Sequence, residues 1–229
     1  MSFPLRAFAL ALTALLLLGS GVQALRLVGG HLLADAGASW ASAPPETGGA
    51  AWLASARLES AIRVSGGDPR HLERLAILRT ERADRLRTIA PQYSGALQDE
   101  ADELLLRAEA ARPTWYSPGL RRLWLRWSRF RIDDEFNRLV ERSMSLGPFE
   151  PGVLNVVVET VASTWFLVEP PTRELAREAA RRGLRQPTER HRAASQQLLD
   201  RIGAWWLVCD DPEVIAAWPD RCPNPADPG

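Results

Sequence analysis

Residues 117–148 read SPGLRRLWLRWSRFRIDDEFNRLVERSMSLGP, and they contain the clearest structural signal in the chain. In the first half, apolar residues fall on one stripe of an amphipathic helix: Leu120, Leu123, Trp124 and Trp127. The run Asp133-Asp134-Glu135 then favours the start of a second helix, because carboxylates are stabilised at helix N-termini. Proline cannot continue a helix, so the second helix should stop before Pro148. The stretch therefore predicts a pair of helices.

The same kind of helix ending recurs along the chain. Small-residue, amphipathic stretches stop at four prolines spaced 35 to 44 residues apart: Pro69, Pro113, Pro148 and Pro187. Strand-like alternation is nearly absent, and the run Val156–Val158 lies within a longer helical pattern. A recurrence of this length with two helices per unit predicts an all-α fold built as a short α-solenoid of antiparallel helix pairs. The alternative is an irregular bundle of proline-ended helices.

The unit Ser117–Pro148 resembles the tetratricopeptide repeat (TPR). Leu120, Leu123 and Trp127 match the apolar positions of the first helix, and Val140 and Pro148 match positions of the second. The unit departs from the pattern at Trp124 and Phe136, where the family has small residues. A later unit matches at Phe166, Ala179 and Pro187. The resemblance covers roughly residues 52–190 and implies a TPR-like helical repeat that binds a partner protein on an extended surface.

The N-terminus has the pattern of a targeting segment. Arg6 precedes an apolar run from Ala7 to Leu18, and small residues lead to Ala24. This predicts either a signal peptide cut after Ala24 or an uncleaved anchor at Leu5–Leu25, which has about the 20 residues that span a bilayer. Both alternatives place the body of the chain outside the cytoplasm.

The predicted organisation has four parts. Residues 1–25 form the signal anchor or signal peptide, and the Ala-, Gly- and Pro-rich residues 26–50 form a membrane-proximal linker. Residues 51–208 form the TPR-like domain, closed by a capping helix over Thr188–Val208 with an apolar stripe that includes Trp205 and Trp206. Residues 209–229 form a C-terminal tail, with a short helix near Pro212–Trp218.

The two cysteines are Cys209 and Cys222. In an exported protein they predict a disulfide, which would stabilise the fold by about 3 kcal/mol. The alternative is a pair of free buried thiols.

Composition and motifs argue against several function classes. The chain has 28 basic and 28 acidic residues, and all 28 basic residues are arginine. Because these charges balance, no global positive field favours nucleic acid. Phosphate-binding loops, nucleophile elbows and zinc-binding helices are absent from the sequence, and the histidines are scattered. The acidic clusters Asp99–Glu103 and Asp133–Glu135 suit helix starts and solvent faces better than acid–base catalysis. We therefore expect no enzyme activity, no cofactor and no metal site.

The segment Thr114–Arg131 is the candidate binding element. Its candidate residues are Trp115, Arg121, Arg122, Trp124, Arg126, Trp127 and Arg129. Arg122, Arg126 and Arg129 share a second helical stripe that could bind acidic polysaccharide, an anionic bilayer or a partner protein. The alternative is ordinary packing, with tryptophan inwards and arginine outwards.

The stretch Arg142–Pro151, RSMSLGPFEP, followed by Trp165, resembles VpsP-like bacterial exopolysaccharide-biosynthesis accessory proteins. The resemblance implies a non-catalytic periplasmic scaffold that assists exopolysaccharide assembly or export by binding partner proteins of that machinery. It implies a single-pass protein of the bacterial inner membrane with a cytoplasmic N-terminus and a periplasmic C-terminal domain, or a periplasmic protein if the leader is cleaved. Direct binding of acidic polysaccharide or anionic lipid by residues 114–131 is the alternative function.

Overall fold

The computed structural model describes residues 19–26, 28–30, 32 and 48–222, with side chains described from Ser55 within the last range. Every regular element within these ranges is a helix, which confirms the all-α prediction. The chain divides into two compact units, Met1–Arg112 and Pro113–Gly229. The boundary lies inside the range 51–208 that the sequence presents as one repeat domain.

From residue 48 onwards, the first unit contains three long helices: α1 (Gly48–Ser65), α2 (Pro69–Leu86) and α3 (Pro91–Ala111). The turn between α1 and α2 uses Gly66 and Gly67 at positive φ, a conformation in which glycine carries no Cβ penalty. Asp68 then caps α2, its carboxylate accepting a hydrogen bond from the Arg70 amide at 2.8 Å. A small buried core joins α1 to α2 at Leu58, Ala61 and Leu75.

The second unit contains α4 (Tyr116–Ser128), α5 (Asp134–Leu146), α6 (Pro151–Ser163), α7 (Pro170–Leu184) and α8 (Glu189–Ile202). A 3-10 turn, Trp205–Leu207, and a last short helix, α9 (Pro212–Ala217), follow. Successive helices pack together, and α4 also contacts α6, α5 contacts α7, and α6 contacts α8. Contacts between alternate helices arrange α4, α6 and α8 as one layer and α5 and α7 as a second, a layering similar to that of helical repeats.

The core of the second unit lies between these layers. Phe136, Leu123, Val140, Val157 and Leu199 are almost fully inaccessible to solvent and belong to one continuous cluster. Phe136 stands where the tetratricopeptide repeat has a small residue, and the structure places its ring in the centre of the core. The large ring therefore fills space between helices rather than disrupting their packing.

Prolines mark the helix boundaries as the sequence predicts. The helices α3, α5 and α7 end at Ala111, Leu146 and Leu184, two or three residues before a proline. Pro69, the other predicted stop, lies at the first position of α2, where its missing N–H costs nothing.

The capping helix is shorter than the sequence predicts. Instead of continuing to Val208, α8 ends at Ile202, because Gly203 adopts a left-handed conformation with φ 64° and closes the helix. The predicted apolar stripe consequently divides: Trp205 is buried, whereas Trp206 is exposed. Thr188 is the N-cap residue of α8, as expected, although its side chain does not accept a capping hydrogen bond.

The predicted targeting segment lies mostly outside the described residues, since description begins at residue 19. Residues 19–26, 28–30 and 32 are helical, and Gly30 packs so closely that a Cβ would lie 2.9 Å from that of Ser65. None of the helices described combines the length and the apolar character needed to cross a bilayer. Of the predicted linker 26–50, residues 27, 31 and 33–47 are outside the described ranges.

Cys209 and Cys222 form a disulfide, as predicted. The bond closes the segment that contains α9 and joins the end of the described chain to the residues after α8.

Candidate binding surfaces of the second unit

The arginines of α4 are engaged by the acidic start of α5. Arg122 is only 5% exposed and donates to Glu135 at 3.1 Å. Arg126 donates to both carboxylate oxygens of Asp133, at 3.0 and 2.8 Å. Both bonds come from the single nitrogen Nη1, so the pair is charge-assisted but is not the two-nitrogen fork of a bidentate arginine–carboxylate pair. The predicted basic stripe thus presents less free charge than the sequence suggests, because two of its three arginines neutralise neighbouring carboxylates.

The tryptophans of α4 pack together and against α6. The rings of Trp124 and Trp127 lie 4.6 Å apart, and Trp127 Nε1 donates to Ser163 Oγ at 2.8 Å. Trp115 is the half-buried N-cap residue of α4. Of the remaining candidate residues, Arg121 is exposed and Arg129 is half-buried.

An open groove of about 960 Å³ runs between α5 and α7. Its polar floor is formed where Asn137 Oδ1 accepts hydrogen bonds from Thr172 Oγ1 at 2.8 Å and from the Glu169 amide at 3.4 Å. These bonds join the first turn of α5 to the start of α7 and keep the groove walls in register.

Acidic side chains dominate the walls of this groove. Its carboxylates are Asp134, Glu141, Glu169, Glu174 and Glu178, and its two arginines are Arg138 and Arg181. Both arginines are occupied by acids outside the groove: Arg138 pairs with Glu135 at 2.8 Å, and Arg181 with Asp210 at 2.9 Å. The groove therefore carries net negative charge.

Three groove carboxylates keep their charge uncompensated. Glu174 and Glu178 form ion pairs with Arg177 and Arg182 along α7. In contrast, no cation within the described ranges pairs with Asp134, Glu141 or Glu169. Like charges held along one concave surface favour a ligand of opposite charge.

Sequence reasoning missed the groove. Its residues come from two helices whose contacting side chains, Asn137 and Thr172, are 35 positions apart. The available signal was the recurrence of proline-ended helices in the sequence, since a repeat of this length predicts that equivalent faces of α5 and α7 lie side by side.

The Asp210 carboxyl belongs to an ion-pair cluster that joins α7 to the C-terminal segment. Hydrogen bonding from Arg181 lowers the pKa of Asp210 and outweighs the opposing effect of burial. The same hydrogen bond raises the pKa of Arg181. Arg185 adds bonds to Asp211 and Glu213, at 2.8 and 2.7 Å. This cluster positions α9 rather than forming a reactive site.

The part of the chain that the structure describes contains no group of three or more histidine, cysteine or acidic side chains placed to hold a metal ion. The acidic run Asp99–Glu103 lies along α3, where Glu100 pairs with Arg79 at 2.9 Å. This ion pair gives the Glu100 carboxylate a structural role, the joining of α3 to α2.

No protein-family model, curated protein or solved structure matches this chain.

Proposed function

We propose that the protein is a non-catalytic scaffold whose second unit binds a basic segment of a partner protein in the groove between α5 and α7, which we call the acidic groove. The observation that carries the proposal is the set of unpaired carboxylates, Asp134, Glu141 and Glu169, along one concave surface. A segment rich in arginine or lysine would exchange water for charge-assisted hydrogen bonds with these carboxylates.

The repeat-like layering supports this mode of binding. Helical repeats use the surface made by equivalent helices of successive units. The helices α5 and α7 contact each other, as second helices of neighbouring units would. In this proposal the second unit is a short solenoid of two helix pairs, α4–α5 and α6–α7, and α8 covers its end.

The setting we propose is the periplasmic face of the bacterial inner membrane, in exopolysaccharide assembly or export. The N-terminal apolar run supports attachment to the membrane, and the resemblance at Arg142–Pro151 supports the pathway.

Affinity purification from the host's membranes tests the partner and its mode of binding. Glu141→Lys/Glu169→Lys should lose a partner that the unaltered protein retains, because two attractive contacts become repulsive. Each lost charge pair should cost about 1 kcal/mol or more. Glu81→Lys/Asp220→Lys is the matched control, since it makes the same charge change at exposed acids outside the groove.

A partner retained equally by the unaltered protein, the groove variant and the control variant would contradict the proposal. A partner whose contact region is acidic would also contradict it. Cross-linking mass spectrometry of the purified complex identifies that region.

A further inference from the structure

One end of the second unit collects the loops that follow α4, α6 and α8. The hydrogen bond from Trp127 Nε1 to Ser163 Oγ joins the C-terminal ends of α4 and α6. The rings of Trp165 and Trp206 meet edge to face with centroids 4.6 Å apart, which joins the loop after α6 to the turn after α8. These contacts bring three loops that are distant in sequence to one end of the second unit.

Apolar side chains at this end are unusually exposed. Phe166 is 90% exposed and Phe130 is 77% exposed, and Leu167 and Trp206 also face solvent. We call the set Phe130, Trp165, Phe166, Leu167 and Trp206 the aromatic end. Large apolar groups gathered at a surface mark an interaction site, because leaving them in water is unfavourable.

Phe130 is held at this position at an energetic cost. Its φ is 56°, the left-handed region that bulky residues rarely occupy, and Phe130 is the non-glycine residue with positive φ among those described. Glycine or asparagine would close α4 at this position without strain. The fold therefore tolerates local strain in order to present an exposed ring, and such strain is typical of functional positions.

The aromatic end offers little to a polar ligand. A shallow groove of about 600 Å³ is lined by residues 162–167 and Trp206. Its hydroxyls already donate to backbone: Ser163 Oγ to Glu159 O at 2.7 Å and Thr164 Oγ1 to Thr160 O at 2.7 Å. A sugar would find few free hydrogen-bonding partners here, whereas hydrocarbon needs none.

Uncompensated arginines lie beside the apolar side chains. The Arg173 guanidinium lies 5.6 Å from the centroid of the Trp165 ring, and its buried Nε has no hydrogen-bond partner. Arg131, next to Phe130, is exposed, and no carboxylate of the described chain pairs with it. The unpaired acids closest in sequence to these loops, Asp134 and Glu169, line the acidic groove. The arrangement of apolar tips flanked by free cations complements phosphate groups above a hydrocarbon layer.

We propose that the aromatic end docks on a phospholipid bilayer. Phe130, Phe166 and Leu167 enter the boundary between headgroups and acyl chains, and Arg131 and Arg173 contact lipid phosphates. The apolar run Ala7–Leu18, outside the described residues, is predicted to bring the same chain to a membrane, which provides the second attachment that stable binding requires. This contact uses none of the unpaired acids of the acidic groove, so the two proposals are independent.

Quenching of tryptophan fluorescence by acyl-brominated lipids tests the docking. The full chain is mixed with vesicles of brominated phosphatidylglycerol and phosphatidylcholine, and Trp165 and Trp206 report contact with acyl chains. Tryptophans elsewhere give the same background in every variant. We expect quenching for the unaltered protein and a loss of it in Phe166→Ser/Leu167→Ser. Phe130→Gly should reduce quenching without lowering thermal stability, because glycine removes the ring and the strain together.

Phe149→Ser is the matched control. Phe149 is 70% exposed but lies at the opposite end, where its carbonyl accepts from Gln186 Nε2 at 3.1 Å. Quenching should persist in this variant and in Glu141→Lys/Glu169→Lys. Raising the phosphatidylglycerol fraction of the vesicles should strengthen the quenching of the unaltered protein but not that of Arg131→Glu/Arg173→Glu.

Equal quenching in the unaltered protein and in Phe166→Ser/Leu167→Ser would overturn the proposal, as would an equal loss in Phe149→Ser. Sedimentation provides a further check. If the unaltered protein is not quenched and Phe166→Ser/Leu167→Ser lowers its oligomeric mass, the aromatic end binds a second copy and the proposal is wrong.

Discussion

Gly183 marks the closest approach between α7 and α8. A Cβ at this position would lie 2.7 Å from Ser195 Oγ and 3.1 Å from Ser195 Cβ. Ser195 is itself held by a hydrogen bond from its hydroxyl to Asn155 Oδ1 at 3.0 Å, so it cannot move aside freely. The small residue at 183 therefore sets the distance between two helices of the core.

Gly183→Ala should destabilise the second unit. Overpacking in a well-packed contact costs about 1–3 kcal/mol, which outweighs the gain of about 1 kcal/mol from the better helix propensity of alanine. Gly95→Ala in α3 is the control, because a Cβ there meets nothing within 4 Å, and it should raise stability slightly. Urea unfolding measures both variants. A Gly183→Ala protein as stable as Gly95→Ala would refute the close contact, whereas a smaller cost in a Ser195→Ala background would support it.

Arg122 shows what sequence reasoning at single positions misses. A helical wheel places it on a basic stripe, yet the structure buries it against Glu135, 13 positions further along the chain. Local periodicity describes the face of one helix, but burial depends on the helix that packs against it. The apolar positions were less affected, because the apolar stripe of an amphipathic helix faces the core: Leu123 is buried there and Trp127 packs against it.

At the scale of elements, the C-terminal segment is held to the second unit by covalent and ionic contacts. The disulfide between Cys209 and Cys222 closes the chain around α9, and Val208, Val214 and Trp218 pack against the core. Arg181 and Arg185 connect the end of α7 to the same segment. A short helix such as α9 has little stability of its own, so these contacts determine whether it forms.

Removing the disulfide should destabilise this segment. In Cys209→Ser/Cys222→Ser the free energy of unfolding should fall by about 3 kcal/mol, because the unfolded chain regains the entropy that the cross-link removed. Denaturant unfolding with and without reductant measures the effect. If reduction changes the midpoint of the double variant as much as that of the unaltered protein, the stabilisation does not come from this bond.

The pair between Arg181 and Asp210 should make stability depend on pH in the acid range. Because its pKa is lower in the folded state, Asp210 stabilises the fold above the usual pKa of an aspartate, and this contribution is lost as the pH falls through the lowered value. The pair is largely exposed to solvent, so its contribution should stay below about 1 kcal/mol. Stability curves of the unaltered protein and Arg181→Met should differ near neutral pH, begin to approach each other near about pH 4, and meet once the pH is below the lowered pKa of Asp210. A difference that persists at low pH would assign the effect to packing of the arginine stem.

Helix boundaries followed from the sequence wherever proline or a charged cap sets them. Asp133 caps α5 by accepting from the Phe136 amide at 3.0 Å, as its position before an amphipathic run predicts. The end of α8 was missed, because Gly203 lies within an apolar pattern that continues through Trp205 and Trp206. Periodicity favoured a longer helix there, whereas the left-handed glycine ended it.

At the scale of the whole molecule, the recurrence of helix pairs predicted an all-α chain but not its division at Arg112. The division depends on how much apolar surface each group of helices buries within itself, which the spacing of prolines does not reveal. The acidic groove is likewise a property of assembly: its unpaired carboxylates lie on α5 and at the start of α7, and they form one surface only when those two helices pack side by side in one layer.

Site-specific photo-crosslinking in living cells tests binding in the acidic groove most directly. A photoreactive residue at Glu141 lies on the groove wall, and one at Gln197, exposed on α8, serves as the control. We predict an adduct from position 141, formed through a partner peptide rich in arginine or lysine, and none from position 197. An adduct from position 197 with none from position 141 would contradict the proposed function.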